Sequence, residues 1–292
     1  MIINEGRFDL LVHIPCYPLK TEDVVQSRSL PKVVRASYVA KMEMERFSAQ
    51  KASGSCKSSD LQRTEKKKFL FTTIEEKERL EMMEIISRLG GECSSMNEYD
   101  PSCTHLICGK IMRNEKLVSA ISNGLWVLEK DYVYDSGEAN VWKKESEYEC
   151  GEPSRMKKRS FPNEISRKLA LASRRWRLKL SENVGASGAF SNWRVLMFMS
   201  TKRFASLRRL IEFGGGSAYL PSTLKDYDGI THALVGHSPL WNKKEANSLA
   251  SLGIRCFNMD YIATFLTEDP LHEEDHYHPD YRACLNNLLS GT

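Results

Sequence analysis

No run of apolar residues in this 292-residue chain approaches the roughly 18 that a bilayer-spanning helix needs; the best stretches, 125–128 (LWVL) and 195–199 (VLMFM), are strand-length. No membrane partner is expected. The first residues, Met1-Ile2-Ile3-Asn4-Glu5, lack a basic segment leading into an apolar one, so no secretory signal is expected and the chain is read as intracellular. The eight cysteines (16, 56, 93, 103, 108, 150, 256, 284) form no CxxC and no regular framework. That fits reduced, buried thiols and argues against disulfides or a structural metal. Neither sign of charge dominates: 42 basic against 38 acidic residues leave +4, too little to identify a polyanionic partner. There is no P-loop, no G-x-G-x-x-G after a strand and no G-x-S-x-G elbow, and Gly214-Gly215-Gly216 ends a helix instead of opening one. No enzyme and no cofactor are expected.

The chain does contain the apolar content of a globular protein, 41% hydrophobic and 27% charged, and its length suits two domains of about 150 residues each. Residues 48–68 are Ser- and Lys-rich with almost nothing to bury, which marks a flexible linker and a boundary just before Phe69. Upstream, a short helix is expected over about 33–47, without a complete core pattern; 1–64 is left unassigned and largely flexible. Mid-chain, Arg155, Lys157, Lys158, Arg159, Arg167, Lys168, Arg174, Arg175, Arg177 and Lys179 stand against Glu164 alone. The basic excess is local.

From Lys68 the punctuation predicts strand 69–72, helix 75–89 stopped by Gly90-Gly91, strand 92–95, strand 104–108, helix from about Arg113 to Ser122, strand 126–128 and a helix beginning at Lys130. Short buried strands alternating with helices predict a mainly parallel sheet covered on both faces. The same order recurs. Gly90-Gly91 is echoed by Gly214-Gly215, Thr104-His105-Leu106-Ile107-Cys108-Gly109 by Thr231-His232-Ala233-Leu234-Val235-Gly236, and Asp131-Tyr132-Val133 by Asp260-Tyr261-Ile262. Ordered landmarks repeated once make tandem copies of one fold.

The double glycine, the Thr-His-apolar strand and the aromatic final helix, each occurring twice, resemble the BRCT repeat. The match narrows at Met112-Arg113-Asn114-Glu115-Lys116, at Gly124-Leu125-Trp126-Val127-Leu128, at 167–177 (RKLALASRRWR) and at Gly188-Ala189-Phe190-Ser191-Asn192-Trp193. There it resembles the C-terminal BRCT pair of the DNA topoisomerase II binding protein family. The fold class expected is α/β: two tandem BRCT-like domains, each a four-stranded, mainly parallel sheet flanked by helices, over 65–150 and 190–292. A basic linker with a helix, 151–189, joins them, and a C-terminal tail follows the second. The resemblance implies a non-enzymatic nuclear scaffold of the DNA damage response and replication checkpoint. Its partners would be phosphorylated nuclear proteins such as repair helicases and checkpoint kinase complexes, with ligand-linked dimerisation left open. The family's final-helix tryptophan is replaced by Tyr132 and by Tyr261 or Phe265.

A phosphate site needs hydroxyl or amide donors and cations at one point, and the strand end at Thr72-Thr73 supplies the donors. In this order of elements the next helix starts beside that strand end, so Arg113 and Lys116, read as sharing one helical face, reach the same spot. By resemblance, Thr72, the Thr73 amide and Lys116 hold the phosphate with Arg113 flanking, and Arg79 and Arg203 orient the peptide. In the second repeat Ser200-Thr201 and Lys243 echo this set, but Leu240 stands for Arg113, so one main pocket is expected in the first repeat. Ile165, Leu169, Ala172 and Trp176 fall near one face of the linker helix, which predicts packing between domains with its basic residues outward. Direct DNA contact through Arg174, Arg175 and Arg177 therefore stays open, as does a constitutive protein-interaction or self-association module. His272-Glu273-Glu274-Asp275-His276 satisfies H-E-x-x-H, but Pro270 and Pro279 bracket it and no apolar helix face accompanies it, so zinc catalysis is not expected. His105 and His232, and Cys103 and Cys108, read as structural.

Overall fold

The computed structural model describes residues 66–183 and 185–290; the readings of a helix over 33–47 and of a flexible 1–64 lie outside them. Strand β1 (Lys68–Thr72) buries Phe69, Leu70, Phe71 and Thr72 in succession, as a central parallel strand covered on both faces must. Helix α1 (Glu76–Arg88) follows, laying Met82 and Ile86, four apart, on the sheet. After it come β2 (Glu92–Cys93), β3 (His105–Cys108), α2 (Glu115–Ser122), β4 (Trp126–Glu129) and α3 (Asp131–Ala139). The strands are all parallel in the order β2-β1-β3-β4.

Helices α4 (Pro153–Lys158) and α5 (Glu164–Glu182) lead to the second domain: β5 (Arg194–Phe198), α6 (Thr201–Phe213), β6 (Ser217–Tyr219), β7 (His232–Val235), α7 (Lys243–Ser251), β8 (Arg255–Asn258) and α8 (Tyr261–Thr267). Its strand order, β6-β5-β7-β8, is again all parallel. The registers superimpose: Phe69, His105 and Trp126 stand side by side in one sheet, and Val195, His232 and Arg255 in the other.

The two halves share a buried tyrosine in their final helices. Tyr132 and Tyr261 are both fully buried, and each donates its hydroxyl over 3.1 Å to a glutamate, Glu145 or Glu273. Phe265 instead packs against Trp176 and Trp193. Each glutamate opens a short 3₁₀ turn, Glu145–Glu147 or Glu273–His276, and the chain then bridges back antiparallel, Leu128 to Glu149 and Phe257 to Tyr277. The H-E-x-x-H letters are thus the second copy of a structural turn, with Glu273 also paired to Arg255.

The C-terminal segment departs from the tail expected there. Helix α9 (Pro279–Ser290) packs on α7 and buries Tyr281 and Cys284, three residues apart on one face. So sparse an apolar stripe escapes a periodicity reading.

The two strand histidines are buried, and burial lowers the pKa of both, though their polar partners differ. His105 faces Thr104 through Nδ1 (2.6 Å) and Glu145 through Nε2 (3.4 Å). His232 Nε2 lies 3.1 Å from the Arg255 guanidinium, so it accepts and the ring is neutral. Burial, aided by Arg255, pushes the His232 pKa down to about 3 from 6.5. Between those values the unfolded chain binds the extra proton, so stability rises with pH through this window and is lost as pH falls. We expect urea unfolding to show a loss of about 2–3 kcal/mol from this group between neutral pH and about pH 4, and His232→Gln to flatten that slope.

Candidate functional site

Parallel pairing of β1 with β3 ends at Thr72 opposite Cys108, and the chain beyond β3 returns as α2 beside that same strand end. Helix α2 begins at Glu115, two residues later than the sequence reading. Asn114, extended at φ −145°, accepts the Leu117 N–H at 3.0 Å and so caps the helix. Arg113 therefore precedes the helix, and it does not share a helical face with Lys116.

At the strand end the Thr72 hydroxyl donates to Asn114 Oδ1 over 3.3 Å, and the Lys116 ammonium donates to the Phe71 carbonyl over 3.1 Å. Thr73 turns the chain away at φ +55°, a left-handed conformation costing a β-branched residue about 1–2 kcal/mol. Its hydroxyl offsets that cost: it accepts the Lys110 N–H at 2.8 Å and lies 2.7 Å from the Lys110 carbonyl. Gly109 receives this turn closely; a Cβ there would collide with the Thr73 carbonyl. The Thr73 N–H takes no part in the backbone bonds around it, where Gly109 N–H reaches the Thr72 carbonyl at 3.1 Å. Thr72, the Thr73 amide and Lys116 thus share one corner.

The cations around this corner are half-buried. Burial lowers the pKa of Lys116, and the charge of nearby Arg79 lowers it further. Arg79 itself pairs with Glu76 at 2.7 Å. Burial also lowers the pKa of Arg113, opposed by Asp260 of the second domain. Arg203, on α6, brings Nη1 to 3.8 Å from the sulfur of Met259, next to Asp260. The Arg79 charge thus acts on Lys116, whereas Arg113 feels Asp260 and Arg203 touches the neighbouring Met259. Arg209 of α6 also crosses the junction, reaching Glu98 (3.1 Å) and Glu115 (3.3 Å) of the first domain.

The second repeat lacks the polar corner. Phe198 takes the register position of Thr72, and Trp241 packs edge-on against it at 5.0 Å. Asn242 caps α7 as Asn114 caps α2, so Lys244, exposed to solvent, is the counterpart of Lys116 and Trp241 that of Arg113. The pairing of Lys243 with Lys116 and Leu240 with Arg113 is corrected by one residue, because the loop before α7 is one residue longer.

The linker arginines also depart from the outward orientation expected of them. Arg174 and Arg177 both hold Glu149, a carboxylate with no exposed surface, at 2.9 and 2.6 Å, and Arg177 stacks 3.7 Å over the Trp126 ring. Arg175 donates to the Leu266 carbonyl at 2.7 Å, beside the Trp176 indole N–H on the same oxygen at 3.0 Å. Leu169, Ala172 and Trp176 are buried against the domains, while Ile165 stays exposed. These three arginines clamp α5 to both domains, whereas Lys157, Lys158 and Lys179 face solvent.

Two all-parallel domains of one topology, locked by a shared helix, define a tandem-repeat protein, and the chain belongs to the BRCT family. Residues 64–136 match the BRCA1 C Terminus (BRCT) domain and residues 187–279 the TopBP1/SLF1 BRCT domain. Human SMC5-SMC6 complex localization factor protein 1 is 31% identical over 204 residues, which is 69% of this chain and 18% of that protein. An Arabidopsis thaliana BRCT domain-containing protein is 37% identical over 83 residues, 28% of this chain and 6% of its own. The BRCT5-BRCT6 domains of S. pombe Brc1 align at 17% identity over 70% of this chain and 93% of that one, with a TM-score of 0.49. The chain spans about a fifth of the length of the human relative.

Asn114 is the site residue that the sequence reading did not assign. Its signal was there, since an asparagine before Glu115 in the first turn is a cap signature, but its second bond to Thr72 depends on a residue 42 positions away. Removing the shared carboxylate of the linker clamp by Glu149→Ala should leave two half-desolvated guanidiniums unpaired. We expect about 3 kcal/mol of lost stability in urea unfolding, nearly the same at low and high salt because the pair is buried.

Proposed function

We propose that the chain is a non-enzymatic phosphopeptide-binding adaptor acting in the nuclear DNA damage response and replication checkpoint. The observation that carries this reading is the corner at the end of β1. There the Thr72 hydroxyl and the Lys116 ammonium lie at the strand end where Thr73 turns the chain, and no carboxylate forms an ion pair with Lys116 among the described residues. A phosphoserine or phosphothreonine supplies the missing anion, about −1.5 to −2 charges with three acceptor oxygens. Residues after the phosphate run over the domain junction, where Arg113 and Arg203 orient them. Membership of the BRCT family and likeness to an SMC5-SMC6 complex localization factor support a scaffold that brings phosphorylated nuclear proteins to damaged or replicating DNA. Repair helicases and checkpoint kinase complexes are partners of that kind. The commitment of Arg174, Arg175 and Arg177 to internal partners weighs against direct DNA contact through them.

Calorimetric titration with a library-selected phosphothreonine peptide and its unphosphorylated twin tests this reading. The phosphorylated form should bind at least about tenfold more tightly, and Lys116→Glu should abolish the difference with the fold retained. Equal affinities for the two peptides, or a Lys116→Glu protein that binds as the parent does, would refute the pocket and favour a constitutive interaction module.

A further inference from the structure

Asn114 does two things with one oxygen. Its Oδ1 accepts the Leu117 N–H at 3.0 Å, fixing the first turn of α2, and accepts the Thr72 hydroxyl at 3.3 Å; its Nδ2 donates to the Met112 carbonyl at 3.2 Å. The side chain thereby ties the strand half of the corner to the helix half that carries Lys116. Its Nδ2 bond also fixes which way the amide faces, since the Met112 carbonyl can only accept. The oxygen beside Thr72 is therefore neutral. An aspartate would cap the helix as well as asparagine does, yet would set a full negative charge within hydrogen-bond distance of the Thr72 hydroxyl.

The molecule contains its own control. Asn242 caps α7 through the same bond, Glu245 N–H to Oδ1 at 3.0 Å, but the strand residue at the position of Thr72 is Phe198, which has no hydroxyl to orient. The capping role is common to both repeats. The tie to a strand hydroxyl belongs to the first alone.

We infer that Asn114 is a positioning residue for the phosphate corner: it holds Thr72 and Lys116 in one geometry, and its neutral oxygen keeps the corner open to an anion. The inference rests on the phosphopeptide reading above and deepens it. A bound phosphate takes the Lys116 proton donor and the Thr73 N–H, while the Thr72 hydroxyl turns from Asn114 Oδ1 to a phosphate oxygen.

The test compares the full chain with its Asn114→Asp, Asn114→Ser and Asn242→Asp variants. Binding of a degenerate phosphothreonine peptide pool and of its unphosphorylated twin is measured beside the thermal unfolding midpoint. Asp and Ser both cap helices, so all three variants should unfold within about 4 °C of the parent. Asn114→Asp should lose phosphate-dependent affinity by roughly tenfold or more, Asn114→Ser should recover most of that loss, and Asn242→Asp should bind as the parent does. A folded Asn114→Asp protein that binds like the parent overturns the inference, as does an equal loss in Asn242→Asp. Absence of phosphate-dependent binding in the parent overturns the phosphopeptide reading and this inference together. In a ligand-free cycle, Thr72→Val combined with Asn114→Ala should destabilise by less than the sum of the single changes; strict additivity also overturns the tie.

Discussion

The parallel β1–β3 ladder is the constraint on which the surface chemistry of the first domain depends. Four paired positions, Phe69 through Thr72 against His105 through Cys108, fix where β1 stops and oblige the following crossover to return α2 beside that stop. A parallel pair cannot be joined by a tight turn, so a helix N-terminus arriving at a strand C-terminus is built into the connection. Side chains then decide what the corner does. Thr72, Asn114 and Lys116 make it polar and cationic; in the second domain Phe198 and Trp241 fill the same corner with rings. One backbone thus yields one polar corner and one aromatic plug.

The element order was legible because short all-apolar strands, glycine stops and a twofold recurrence are local signals. The candidate corner was legible as well, since Thr72-Thr73 closes a strand and Lys116 opens a helix. What could not be read was anything fixed by a distant partner. Arg174 and Arg177 look like solvated charges until Glu149, 25 and 28 residues upstream, folds back as a bridge against Leu128 and becomes fully buried. Arg175 finds its carbonyl 91 residues away. The H-E-x-x-H letters were set aside for want of an apolar helix face, but what they do instead was not legible: their first glutamate answers to Tyr261, as Glu145 answers to Tyr132, and that equivalence is visible only once the two sheets share a register. The start of α2 was misplaced by two residues for a smaller reason, because Asn114 was counted into the helix that its side chain caps.

The relation between the domains follows from how the linker helix spends its charge. A basic helix packed on two domains would repel itself and expose its cations unless buried acceptors were provided. Glu149 from the first domain and the Leu266 carbonyl from the second provide them. Lys168 adds Glu268 at 2.6 Å, and Arg209 joins the junction from α6. Together with the buried Trp176, these contacts hold the domains in a single relation.

Set against this pairing, the cations at the first-domain corner stand out. Lys116 and Arg113 have already lost part of their hydration, as their lowered pKa values record, yet neither has gained a carboxylate in an ion pair among the described residues. The Phe71 carbonyl gives Lys116 one acceptor that carries no charge of its own, so the ammonium lacks the Coulombic partner an anion would be. Desolvating a charge is normally the larger part of the cost of an ion pair. Here part of that cost is met during folding, so an arriving dianion recovers more of its Coulombic attraction than it would at a fully hydrated lysine such as Lys244. The same reasoning explains why the corner needs a neutral cap. A carboxylate at Asn114 would bring a negative charge of its own to the corner and oppose an arriving dianion.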